Sequence, residues 1–158
     1  VKNSAVRTGR IGELITMAVL EKMNVDTVHH PTEGFDLVAF PGRHIVRIEV
    51  KAATTLEEQR QQYSFIAGKG KEKRIIDLSD CDIIAFVAVD LNRVYFKSVH
   101  DLKTVRNRVD KVSFMLEQQP VEVFITQRGK ASNSEMEQIL YDIGVEASKL
   151  MQHEDFEK

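Results

Sequence analysis

Two runs of alternating residues flank a Pro-Gly pair in the stretch 34–53, GFDLVAFPGRHIVRIEVKAA. A period of two belongs to strands, and Pro-Gly marks a turn, so the stretch is predicted to be a β-hairpin. Phe35, Leu37 and Ala39 share one face of the first strand; Asp36, Val38 and Phe40 share the other. On the return strand Val46, Ile48, Val50 and Ala52 form an apolar face, opposite Ile45, Arg47, Glu49 and Lys51. A two-residue loop would pair Phe40 with Arg43 and Asp36 with Arg47. A four-residue loop, Pro41 to His44, pairs Phe40 with Ile45 and Asp36 with Glu49. Either even length puts Asp36 on the face of Glu49 and Lys51; an odd length or a bulge would not. The longer loop is expected, because Pro-Gly suits type I or II turns, which fit poorly in a two-residue hairpin.

Two carboxylates and an ammonium on one sheet face are costly to gather unless they bind something. Hard divalent cations take carboxylate oxygens, and such sites cut phosphodiesters. The plainer alternative is a cross-strand ion pair.

The flanking sequence fits one domain, 1–158, with no internal repeat and no Ser- or Pro-rich linker. A helix is expected from about Ile11 to Met23, with a stripe of Ile11, Leu14, Ile15, Ala18 and Val19. Glu13 lies off that stripe, in line with Met17 and Leu20, and is predicted to be semi-buried; a first-turn Glu facing the helix dipole is the alternative. Residues 24–34, with His29 and His30, read as a solvated loop, since no second Cys or His group has zinc-site spacing. A third strand is expected at Tyr63 to Ala67. The basic loop GKGKEKR, 68–74, lacks the spacing of a nucleotide-binding loop and is either solvated or a phosphate contact. Asp82 to Val89 reads as a fully buried strand, followed by a turn and a strand at Val94 to Val99. A short helix from Leu102 to about Val109, capped by Asp101, would set Lys103 and Arg106 side by side. One more strand is expected at Val121 to Thr126. The Ser134–Glu137 capping box opens a last helix, about 135–151, with an apolar stripe from Met136 to Met151.

Charge is divided unevenly. Residues 1–130 carry 20 Lys+Arg against 17 Asp+Glu, whereas residues 131–158 carry 2 against 7. A basic face on a chain of net charge −2 is therefore compatible with the composition. The single Cys81 excludes an internal disulfide and fits a reducing compartment. VKNSAVRTGR has no apolar core of a signal peptide, and the longest apolar run, Ile83 to Val89, is seven residues. A location in the cytoplasm of a cell, or of an infected one, away from membranes, is expected.

The order of these features resembles the PD-(D/E)XK nuclease superfamily. The matching residues are Glu13 on the helix, Asp36, and Glu49-Val50-Lys51 on the hairpin partner, within about residues 7–100. GRIGELIT, EVKAATT, QQYSF and CDIIAFVAVDLNRVYF look like the small group I intron homing endonucleases of that type, known from cyanobacteria and their phages. Phe35 stands where the family dipeptide has proline. The resemblance implies an α/β fold with a restriction-endonuclease-like core: a mixed sheet flanked by helices. It implies a Mg²⁺-dependent endonuclease, with Mn²⁺ as a substitute, that leaves 5′-phosphate and 3′-hydroxyl ends. Asp36, Glu49 and the Val50 carbonyl would hold the metal, Lys51 would act on the water or the phosphate, and Glu13 would hold a second metal or a water. Gln62 is an auxiliary candidate. The implied partner is double-stranded DNA, with Arg7, Arg10, Lys69, Lys71, Lys73 and Arg74 as contacts, and the implied assembly is a homodimer or homotetramer. A restriction enzyme, a Holliday-junction resolvase or an inactive nucleic-acid-binding protein on the same core are the alternatives.

Overall fold

The computed structural model describes residues 4–30, 34–117, 139 and 141. Helix α1 (Ser4–Lys22) is followed by a meander of β1 (Asp26–His29), β2 (Leu37–Phe40) and β3 (Val46–Ala53). Then come β4 (Gln62–Ile66), the short strands β5 (Gly68–Lys69) and β6 (Arg74–Ile75), β7 (Ile83–Ala88), β8 (Arg93–Ser98), β9 (Arg106–Asp110) and the one-turn helix α2 (Lys111–Met115). Five strands form the central sheet in the order β1-β2-β3-β7-β8. Its neighbours are antiparallel except β3 and β7, which run parallel, so the sheet is mixed.

Each face of the sheet is covered. Helix α1 lies on one face, where Leu20 and Val25 pack on Leu37, Ala39, Ile48, Val50, Ala85 and Phe96. On the other face β4 and β9 form a separate antiparallel ribbon. Its inward residues Tyr63, Phe65 and Val109, with Phe114 of α2, pack on Ile84 and Phe86. Covering on both faces explains why β7 reads as an unbroken apolar run.

The helix meets the sheet through a different stripe from the one its largest residues suggest. Ile11, Leu14 and Ala18 are exposed, whereas Gly12, Thr16 and Leu20 are buried; Ile15 and Val19 pack at the flanks. Small residues let the helix backbone approach β3 closely. A Cβ on Gly12 would stand 2.8 Å from the Ala52 Cβ and 3.3 Å from the Val50 Cγ1. The Thr16 hydroxyl satisfies itself by donating to the Gly12 carbonyl at 2.8 Å.

Two other elements differ from expectation. The solvated loop expected over 24–34 differs among its described residues: Asp26–His29 forms edge strand β1, and His30 is buried. The expected helix over 102–109 is instead strand β9, preceded by a 3-10 turn at Val99–Asp101. In β9 Arg106, Arg108 and Asp110 are exposed while Asn107 and Val109 are buried, a period of two. The Lys103–Arg106 ridge expected on a helix is thus absent; the exposed basic pair is Arg106 and Arg108. The strand expected at 121–126 and most of the last helix fall outside the described residues, within which Ile139 and Tyr141 are helical. Among the described residues no helix is long and apolar enough to cross a membrane.

Candidate active site

The hairpin adopts the four-residue loop. Leu37 pairs with Ile48, Val38 with Arg47 and Ala39 with Val46, which is the register that sets Phe40 against Ile45 and Asp36 beside Glu49. Gly42 takes a φ of +60°, open to glycine at little cost, and His44 N–H closes the turn on the Pro41 carbonyl at 3.1 Å.

Strand β3 outlasts β2. Its pairing with β2 ends at Ile48, whereas its pairing with β7 continues to Ala53. At the overhang the Asp36 side chain replaces the missing strand: its Oδ2 accepts from the Val50 N–H at 2.7 Å. A strand residue directs its N–H and C=O to the same edge, so the Val50 carbonyl faces the side on which Asp36 lies. Phe35 holds the chain entering Asp36 by packing. Its ring lies 4.1 Å from the His30 ring, and the Arg47 guanidinium sits 5.8 Å above it.

Glu49 is buried on the face opposite α1. Its two oxygens meet two ammonium groups. Lys51 Nζ is 3.6 Å from Oε1, and Lys69 Nζ is 2.9 Å from Oε2. Lys69 also donates to the Gly34 carbonyl at 2.6 Å. Burial pushes both carboxyls above the ordinary carboxylate range. For Glu49 the Asp36 charge adds to the rise, and Lys69 and Lys51 oppose it. For Asp36 the Val50 N–H opposes the rise, Glu13 adds to it, and the two lysines lower it again. At both carboxyls the loss of solvation outweighs the two lysines.

Glu13 approaches from α1, half-buried, with its Oε1 held by Arg10 at 3.2 Å and by His29 Nε2 at 3.1 Å. These three side chains, with Val6 and Gly9, line an open cleft. Asp36, Glu49 and Lys51 thus act on one another electrostatically, and Glu13 acts on Asp36. Gln62 is differently engaged, its amide donating to Asp110 across the β4–β9 ribbon at 2.9 Å. Among the residues expected at DNA, Arg7, Lys71 and Lys73 are exposed, Arg10 is on Glu13, and Arg74 forms a fork with Asp80 at 2.7 and 2.8 Å. Lys69 and His29 are the site residues that sequence reasoning placed elsewhere. Nothing in the spacing of 68–74 distinguishes Lys69 from its neighbours, and His29 enters only because β1 pairs with β2.

Among the described residues no three His, Cys, Asp or Glu side chains form a metal cage by themselves. The donors present fit a cation that retains several waters. They are the buried Glu49 and half-buried Asp36 carboxylates, a strand-edge carbonyl, and oxygens that already enclose an ammonium.

The chain matches no protein-family model and no curated protein. It is similar in structure to a bacterial homing endonuclease, I-Ssp6803I, at 12% identity and a TM-score of 0.57, over 79% of this chain and 88% of that one. The Holliday junction resolvase Hjc of Archaeoglobus fulgidus aligns at 18% identity and a TM-score of 0.48, over 79% and 98%. The likeness is one of fold: a mixed sheet with a flanking helix, in the arrangement of the PD-(D/E)XK nuclease core.

Proposed function

We propose that this chain is a divalent-metal-dependent endodeoxyribonuclease, of the homing type, acting on double-stranded DNA. The observation that carries the reading is the overhanging end of β3, where half-buried Asp36 and buried Glu49 converge with Lys51 beside them. The likeness in fold to a homing endonuclease supports it. Asp36, Glu49 and the Val50 carbonyl would hold Mg²⁺, or Mn²⁺ in its place. When bound, the ion supplies positive charge to the phosphate and a more acidic water.

The remaining steps belong to the chain. Lys51 orients the attacking water and meets the charge that develops on the phosphate. Glu13, held by Arg10 and His29, would hold a second cation or position a water. Water adds to phosphorus, the bond to the 3′ oxygen breaks, and that oxygen takes up a proton, leaving 5′-phosphate and 3′-hydroxyl ends. Arg7, Lys71 and Lys73 contact backbone phosphates. Cutting both strands requires two active sites, so the working form is a homo-oligomer.

The test uses DNA carrying an intron-insertion site. Wild-type protein with Mg²⁺ should nick or linearise it. Lys51→Ala should lose at least about 100-fold of the rate, as expected for a lost transition-state donor, while keeping its circular dichroism and DNA affinity. Equal cleavage in EDTA, or an undiminished Lys51→Ala variant, refutes the mechanism.

A further inference from the structure

The sequence motif provides one lysine, Lys51; the fold brings a second, and it lies closer to Glu49. Lys69 sits at the end of β5 in a small hairpin whose base is tight. A Cβ on Gly68 would meet the Lys73 Cβ at 3.1 Å and the Val105 Cγ1 at 3.2 Å. The turn needs positive φ at Gly70 (+76°) and Lys73 (+53°). The hairpin is tied down at its root, where Ala67 N–H donates to the Val105 carbonyl at 2.7 Å, and at its flank, where Arg74 grips Asp80. It is a braced arm, and it delivers the Lys69 ammonium between Glu49 Oε2, at 2.9 Å, and the Gly34 carbonyl, at 2.6 Å.

One oxygen of Glu49 and the Gly34 carbonyl, beside the half-buried Asp36 carboxylate, are donors a hard cation would take. An ammonium in that seat does for Glu49 what a metal would do. We propose that Lys69 is a resident counter-ion that occupies the cation seat at Glu49 and must leave it before a divalent metal can bind. The displaced ammonium, carried on the hairpin with Lys71 and Lys73, then turns to a DNA phosphate. Metal and DNA therefore favour each other's binding: DNA draws Lys69 off Glu49, and the opened seat takes the metal. The inference rests on the nuclease reading above.

The experiment titrates Mn²⁺ calorimetrically into DNA-free protein at fixed ionic strength: wild type, Lys69→Met, Lys69→Ala and Lys71→Met. Lys71 is exposed on the same hairpin, so its variant corrects for loss of a nearby charge. Both Lys69 variants should bind Mn²⁺ roughly 10- to 100-fold more tightly than wild type, the range of one charge-assisted hydrogen bond no longer broken. Lys71→Met should change affinity by less than about threefold, as expected for a screened surface charge. In wild type, Mn²⁺ should also speed amide exchange across Gly68–Ile75, with no such change in Lys69→Met. Unchanged or weaker Mn²⁺ binding in the folded Lys69 variants overturns the proposal, as does an equal gain in Lys71→Met. If wild type binds Mn²⁺ and cleaves DNA but the Lys69 variants show no gain, the counter-ion role alone falls. If no variant binds Mn²⁺, the metal-dependent reading falls with it.

Discussion

Replacing Gly12 by alanine sets two opposed effects against each other inside α1. Alanine favours a helix interior over glycine by about 1 kcal/mol, because it has less backbone freedom to lose. Against this, the new methyl would lie 2.8 Å from the Ala52 Cβ, where ordinary contact begins at 3.4 Å. The gap must open by about 0.6 Å, and neither partner is the end of a flexible side chain. Forced packing of one extra methyl costs about 1–3 kcal/mol. The net expectation is a loss of ~0–2 kcal/mol. Gly9 supplies the control, since it lies in the same helix and a Cβ there meets nothing within 4 Å. Gly9→Ala should therefore gain ~0.5–1 kcal/mol, leaving the two variants ~1–3 kcal/mol apart. Equilibrium urea unfolding followed by circular dichroism measures both differences, which correspond to about 2–4 °C of melting temperature per kcal/mol at this chain length. Gly12→Ala should also cleave more slowly, because lifting α1 carries Glu13 away from Asp36. A Gly12→Ala variant as stable as Gly9→Ala would refute the close-approach argument.

The raised carboxyl pKa values have a definite sign. With the native values above the unfolded ones, the native state binds more protons from about pH 4 upward, so these groups favour folding below that range. That contribution is lost as pH rises through the raised native values. Asp36→Asn keeps an acceptor for the Val50 N–H and removes the charge, so in EDTA it should be more stable than wild type at pH 7 and equal to it near pH 3. Urea unfolding across pH 3–8 tests this, and a wild type more stable than Asp36→Asn at pH 7 would contradict it. Asp82→Ala strands the buried Arg47 guanidinium and should cost about 3–5 kcal/mol by the same assay. A loss below 1 kcal/mol would mean that water reaches Arg47.

The hairpin was legible because turn chemistry and period-two alternation are local. Pro41-Gly42 fixes the loop, and the loop fixes which residues face Asp36. Helix α1 was legible as a helix but not in its orientation. Hydrophobicity favours Ile11 and Leu14, whereas packing chose Gly12 and Thr16, and the only signal was small residues four apart. Strand β9 was read as a helix because RNRVD carries few β-formers; its alternation becomes meaningful only when β4 lies alongside. Lys69 reaches Glu49 across twenty residues, and three lysines in GKGKEKR are equivalent until the hairpin folds.

The fork between Arg47 and Asp82 bears on alignment. No turn sets the parallel pairing of β3 with β7, and a slip of two residues would keep each apolar side chain of Ile83–Ala88 on its own face. Asp82 marks the correct position. Its carboxylate takes the Arg47 backbone N–H at 2.9 Å and the guanidinium at 3.2 Å, while its own N–H donates to the Arg47 carbonyl at 2.9 Å. A slipped pairing would bury that carboxylate without its donors. The fork thus works as an index mark, and Glu49, two residues along the strand, lies beside Ile84 because Arg47 has already been matched to Asp82.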